Sequence, residues 1–431
     1  MVQIASTESK SRITSHEVIG SSKPARDRNV LLLSSVPPSS KYTGALMLHS
    51  MCRALPADKL SCFAVLTPGL DSEIHPEWKE IPYMHRQKPS ESQLRHLPLH
   101  LGVIESFIKE QATAKFATEK IAKELILFAE STGAETIWCT LEGQTMIRLA
   151  LALQKRLALP MVAQVWDPPG WWLRDNNVDK FSRKKVLSDF AEVLSNSKTT
   201  TAAASWAMAE QYTKDYGCNA IPVIPGLPQN WAYQPCTGLN DSTTLTIGFA
   251  GQLYSSEEWN CLMQALESTG WMIEGRHVEV RALGRIFGIN ATGERNIRFY
   301  GWRSQQETIE ILSGCDVLYC PYWFSPRFET ESRLSFPSKL TSYLAAGRPV
   351  LFHGPTYASP SRFLQDNNAA LQCNNLDQKS VIEALKTFVS DASLYRDLAA
   401  NGAAAFHRHL TEERTQAQFL KAIGYENAQR A

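Results

Sequence analysis

Short apolar runs separated by longer amphipathic stretches recur along the whole chain. In the first half, Asn29–Leu33, Ser61–Leu66, Glu135–Thr140, Pro160–Val165 and Thr199–Ala204 read as strands. Helical periodicity lies between them near 45–55, 99–130, 144–157, 179–195 and 205–216. The second half repeats the rhythm, with strands at Leu245–Phe249, His277–Leu283, Ile297–Tyr300 and 316–320. Ser255 with Glu258, and Ser304 with Glu307, have capping-box spacing at helix starts. Trp259, Leu262, Met263 and Leu266 form the apolar stripe of the first of these helices, and Ile309 and Leu312 anchor the second. Ala369–Cys373 and helices near 378–390 and 392–404 complete the series. Such alternation predicts an α/β fold with parallel sheets covered on both faces.

The stretch from Phe336 to Leu351, FPSKLTSYLAAGRPVL, is the most informative. Pro337 suits a first helical turn, where a fixed φ and a missing N–H cost least. Leu340, Tyr343 and Leu344 give one apolar face, Gly347 stops the helix, and Val350–Phe352 open a strand. The helix start offers unpaired amides and a partial positive charge, to which Lys339 adds a full one, an arrangement suited to a phosphate or diphosphate.

At 431 residues, with 44% hydrophobic and 20% charged residues, the chain has the size of two soluble domains. A net charge of +1 argues against nucleic acid as a partner. Nine scattered cysteines without a CxxC pair imply reduced thiols and a cytoplasmic location. The ten histidines show no metal-ligand spacing, so no metal is expected. No apolar run reaches a bilayer-spanning length. Residues 1–28 read as a flexible tail and 229–243 as a linker, because neither is periodic. No G-x-G-x-x-G follows a strand, which argues against a nicotinamide or flavin enzyme.

DVLYCP at 316–321, FPSK at 336–339 and YLAAGRPV at 343–350 resemble the donor-binding signature of GT-B glycosyltransferases, especially the retaining group with the family 4 architecture. The resemblance implies two facing Rossmann-like domains with a cleft between them. Residues 29–228 would form the acceptor side, 244–405 the nucleotide-sugar side, and 406–431 a last helix crossing back to the first domain. It implies a nucleoside-diphosphate sugar as donor, with no cofactor. A sugar, a glycan or a lipid-linked molecule would be the acceptor, the last bringing peripheral contact with the inner face of a membrane. The basic run Arg183-Lys184-Lys185 would serve that contact or be a solvated helix face.

The family pattern places the donor against Gly251 and Gln252 after one strand, Arg285 after Gly284, Tyr300 and Gly301 at another strand end, and Phe336, Pro337, Ser338, Lys339 and Ser342 at the signature helix. Gly44, in the loop SSVPPSSKYTG, resembles the family's glycine turn near the donor phosphates. Asp167 and Lys339 are the catalytic candidates, and Trp166 and Trp171 the acceptor candidates. Asp167 would orient or deprotonate an acceptor hydroxyl, or simply cap the Pro-Pro turn; the tryptophans would stack on a sugar or fill a core. The chain departs from the pattern in several places. Gln252 stands where the family has Arg, no Lys follows it, and Leu334 and Ser342 occupy the two usual carboxylate positions. Glu329 and Glu331, expected in the preceding loop, are the possible replacements for the first carboxylate.

Overall fold

The structure, a computed structural model, describes residues 28–41, 43–91, 101–240, 243–284 and 296–425. Residues 1–27 of the tail predicted at 1–28, and Arg285, lie outside these residues. The first half contains β1 (Val30–Ser34), α1 (Thr43–Cys52), β2 (Leu60–Leu66), β3 (Tyr83–Gln87), α2 (Leu101–Ala112), α3 (Glu119–Ser131), β4 (Thr136–Thr140), α4 (Gln144–Leu157), β5 (Met161–Val165), α5 (Pro169–Asp175), α6 (Lys180–Leu194), β6 (Thr199–Ala203), α7 (Trp206–Tyr216) and β7 (Asn219–Pro222). The second contains β8 (Thr244–Ala250), α8 (Ser256–Ser268), β9 (Met272–Ile273), β10 (Arg276–Leu283), β11 (Ile297–Gly301), α9 (Gln305–Ser313), β12 (Val317–Pro321), α10 (Glu329–Leu334), α11 (Ser338–Ala345), β13 (Val350–His353), α12 (Ser359–Asp366), β14 (Ala370–Cys373), α13 (Gln378–Ser390), α14 (Ala392–His409) and α15 (Glu412–Ile423).

Each half forms its own sheet. The first runs β3-β2-β1-β4-β5-β6-β7, all parallel; the second runs β11-β10-β8-β12-β13-β14, with β9 antiparallel on β10. Both orders reverse direction once, between β1 and β4 and between β8 and β12, so each sheet is doubly wound. Alternation along the strands explains the two covered faces. Leu31 and Leu33 enter one core cluster, while Val30 and Leu32 enter another on the opposite face. In the second sheet, Val317 and Tyr319 point one way and Leu318 and Cys320 the other.

The chain returns to the first domain at its end. Leu227 and Thr411 pair as a parallel bridge, and Phe419 of α15 packs on Trp138 of β4 with ring centroids 4.4 Å apart. The turn into this helix falls at Leu410–Thr411, because α14 continues to His409, past the boundary at 405 read from the sequence.

Two local expectations differ. The Ser304–Glu307 capping box forms, but Ser255 and Glu258 make none. Ser255 Oγ instead donates to the Pro321 carbonyl, and Glu258 Oε1 accepts the Phe324 amide at 2.8 Å. Both side chains serve the long loop after β12, a tertiary use that displaces the local one. That loop is also not all loop, since residues 329–334 coil into α10.

Candidate functional site

Open parallel sheets bind ligands beyond the carboxyl ends of their strands, at the switch in strand order. In the second sheet that rim is made of glycines. β8, β10 and β11 lead into Gly251, Gly284 and Gly301, with φ of +97°, +123° and +68°. A Cβ on Gly284 would sit 2.7 Å from the Gly251 carbonyl oxygen, so neighbouring turns touch through bare backbone. The Gly251 amide donates to Leu283, and the Gly284 amide to Gly301.

Across the switch point stands α11. Pro337 caps it with extended backbone, and the amides of Ser338 and Lys339 find no acceptor among the described residues. The Lys339 side chain reaches back over the glycine rim. Its Nζ donates to the Gln252 carbonyl at 3.2 Å and lies 4.7 Å and 4.4 Å from the ring centroids of Phe249 and Tyr254. No carboxylate pairs with it among the described residues. Burial among these rings lowers its pKa to about 8. Tyr343, one turn on, accepts the Ala250 amide at 2.8 Å and pins the end of β8 to the helix.

In the first domain, loops after β1, β4 and β5 surround a cavity of about 200 Å³, lined by Glu142, Trp166, Asp167 and Trp171 among others. Asp167 Oδ1 accepts the Ser335 hydroxyl of the opposite domain at 3.0 Å. Its pKa is raised, chiefly by burial and further by Glu142 and Glu331. The same carboxylate raises the phenol pKa of Tyr254 and Tyr322, behind burial as the main cause.

The two domains are latched beside this site. Glu331 of α10 is almost wholly buried and pairs with Arg174 of α5 at 2.7 Å. Ser205 at the head of α7 donates to the Leu334 carbonyl, and Leu334 packs on the core of the first domain.

Several sequence-derived candidates take other places. Phe336 is a core residue, its ring against Trp206 and Phe363 at centroid distances of 5.7 Å and 5.3 Å. Gly44 is not in a turn: it lies in the first turn of α1, where an added Cβ would meet the Trp166 ring at 3.0 Å. Ser342 is buried within α11, Ser338 is exposed at its tip, and Gln252 offers its backbone to Lys339. Tyr300 is half-buried at the end of β11, and the neighbouring Trp302 is 71% exposed. Of the two replacement carboxylates, Glu331 pairs with Arg174 and Glu329 with Arg333. Arg333 also stacks on Tyr357, and Arg327 on Phe328.

His49, His75 and Glu77 come within 4.8 Å of one another, a grouping absent from the linear spacing. Yet His49 Nδ1 accepts from Trp78 Nε1 at 2.9 Å and His75 Nδ1 accepts from the Glu77 amide at 3.3 Å. Both Nδ1 lone pairs are thus engaged in packing this corner. Tyr254, Ser335 and Arg174 were not singled out from sequence, while Tyr343 was read only as part of an apolar helix face and Glu331 only as a replacement carboxylate. The signal at Tyr343 was a polar-tipped ring on an otherwise apolar helix face.

No protein-family model matches the chain, and no curated protein matches it. Solved structures do. HepE from Anabaena, in complex with UDP, superposes with a TM-score of 0.59 at 12% identity, over 92% of this chain and 99% of that one. Sucrose-phosphate synthase from Thermosynechococcus elongatus gives 0.62 at 12% identity, over 91% and 98%. The trehalose-6-phosphate synthase OtsA gives 0.61 at 10%, over 92% and 98%. With two doubly wound domains facing each other throughout this length, the chain has the GT-B fold of these glycosyltransferases.

Proposed function

We propose that the protein is a retaining glycosyltransferase of the family 4 type, moving a sugar from a nucleoside-diphosphate sugar to an acceptor hydroxyl. One observation carries the reading: an ammonium without a carboxylate partner among the described residues, beside two helix amides likewise without an acceptor among them, facing a rim of bare backbone. A leaving diphosphate fits that corner, and its departure is where negative charge develops in the transition state. Lys339 and the amides would neutralise it without a metal. HepE, which shares the fold, has been solved with UDP-glucose, which supports a donor of this class. Asp167 would orient the acceptor. In front-face transfer the bond from the anomeric carbon to phosphate breaks and the acceptor oxygen bonds on the same face. The acceptor proton passes to the departing phosphate oxygen.

A second reading, a sugar-nucleotide-binding partner subunit with little or no turnover, draws support from Gln252, Leu334 and Ser342 at positions the resemblance would fill with charge. Mixing the purified chain with UDP-, GDP- and ADP-sugars separates the two. Binding with donor hydrolysis or transfer supports the enzyme; binding with neither, whatever the acceptor, supports the subunit.

A lipid-linked acceptor would bring the protein to an anionic membrane surface, and a stripe on the first domain fits that role. Ile104, Ile108, Phe116 and Leu127 are 55%, 61%, 68% and 66% exposed, at near-helical spacing along α2, the π-helical segment Thr113–Thr118 that follows it, and α3. Lys109, Lys115, Lys120 and Lys123 lie among them. Among the described residues, no helix is long and apolar enough to cross a membrane. Sedimentation with phosphatidylserine vesicles is the check: the native chain should pellet and Phe116→Glu with Ile108→Glu should not.

A further inference from the structure

We infer that the first-domain pocket takes an uncharged sugar and rejects a phosphorylated or otherwise anionic one. This rests on the transfer reading for its purpose but not for its test.

The charges around the cavity are the ground for it. Glu142 is exposed at the pocket wall; one carboxylate oxygen accepts the Ser35 hydroxyl at 2.7 Å and the other has no partner among the described residues. Glu91 accepts the Thr145 amide at 2.8 Å through one oxygen and pairs with Lys88 at 3.0 Å through the other. Among the described residues Lys88 is the one cation lining the cavity, and this pair already neutralises it. Asp167 adds a third carboxyl group to the lining, its Oδ1 accepting the Ser335 hydroxyl at 3.0 Å.

Hydroxyl groups are what such a wall recognises. A sugar hydroxyl donates to a carboxylate in a charge-assisted bond, stronger than a neutral one. A phosphate dianion has no proton to give and meets like charge, so its desolvation goes uncompensated. Trp166 and Trp171 supply the apolar surface that the C–H face of a pyranose needs, and Trp166 Nε1 is a buried donor without a partner among the described residues. About 200 Å³ suits one sugar ring better than a chain of them.

The test uses the full chain without donor and reads tryptophan fluorescence. Methyl glycosides of common hexoses and N-acetylhexosamines are titrated beside the 6-phosphates of the same sugars. At least one neutral glycoside should saturate, with its phosphate at least tenfold weaker. Glu142→Gln, at an exposed position, should weaken the neutral sugar about tenfold and narrow that gap. A phosphate that binds as tightly as its neutral parent overturns the inference. So does the absence of saturation by every neutral sugar in protein that still binds nucleoside diphosphates, and so does an unchanged Glu142→Gln. Failure of the transfer reading appears elsewhere, as absence of nucleoside-diphosphate binding.

Discussion

At the ends of β8, β10 and β11 the second domain presents three glycines and one lysine; at the ends of β1, β4 and β5 the first presents carboxylates and indoles. Both rims lie where a doubly wound sheet reverses its strand order, so topology gives them equivalent positions. Their chemistry is opposite. The glycine rim recognises through amides and a cation, which suits an anion of any shape that reaches the backbone. The carboxylate rim recognises through acceptors and ring faces, which suits hydroxyls and a sugar's apolar side. The fold sets where ligands lie, and a few side chains set which ones.

The seam between the rims gives the largest test. Arg174→Met leaves Glu331 buried with no cation, and should destabilise the docking of the two domains by about 3–5 kcal/mol. Arg174→Met with Glu331→Met should recover most of that in chemical denaturation, because the uncompensated charge is gone. A double variant no more stable than the single one would mean that the pair is not what holds α10 in place.

The glycine rim should break next. Gly284→Ala puts a methyl group 2.7 Å from a backbone oxygen at a φ of +123°, costing about 2–3 kcal/mol. Lys339→Met should not lower the melting temperature of the apo protein at pH 7, since it removes a buried ammonium that has no carboxylate partner among the described residues. It should weaken nucleoside-diphosphate binding in calorimetry by about 2 kcal/mol, roughly thirtyfold. Equal affinity would remove the cation from the donor side of the comparison.

The two rims were unequally legible in the sequence. Gly251 and Lys339 stand next to strand and helix signals, so local pattern reached them. The buried strands were legible for the same reason, as apolar runs bounded by turns. The carboxylate pocket draws Glu142, Trp166 and Asp167 from loops joined only by the fold, and no linear spacing relates them. Asp167 was reached, but its partner Ser335 lies 168 residues away. α5 and α10 were missed because each is short and held by tertiary contacts rather than by periodicity, Trp172 on the core and Glu331 on Arg174. Phe336 misled in the other direction. Its place in a family motif suggested a ligand contact, whereas apolar neighbours from α7 and α12 bury it.

The smallest effect separates the rims by pH. Lys339 titrates near 8 in the folded chain against an ordinary 10.5. Below pH 8 it is charged whether folded or not, so the cost of burying the ammonium is fully present. Between pH 8 and 10.5 the folded state has released the proton and the unfolded state still holds it, so this group makes stability rise with pH. Donor binding moves the other way, because the diphosphate needs the ammonium. From pH 7 to 8.5 nucleoside-diphosphate affinity should fall about fourfold, as the protonated fraction falls. Neutral-sugar binding at the Glu142 wall should stay level over that range, because Lys339 takes no part in it. Calorimetry of both ligands at the two pH values reads the contrast, and Lys339→Met should flatten the donor curve alone. A fall in both curves would place a shared titrating group between the rims in place of Lys339.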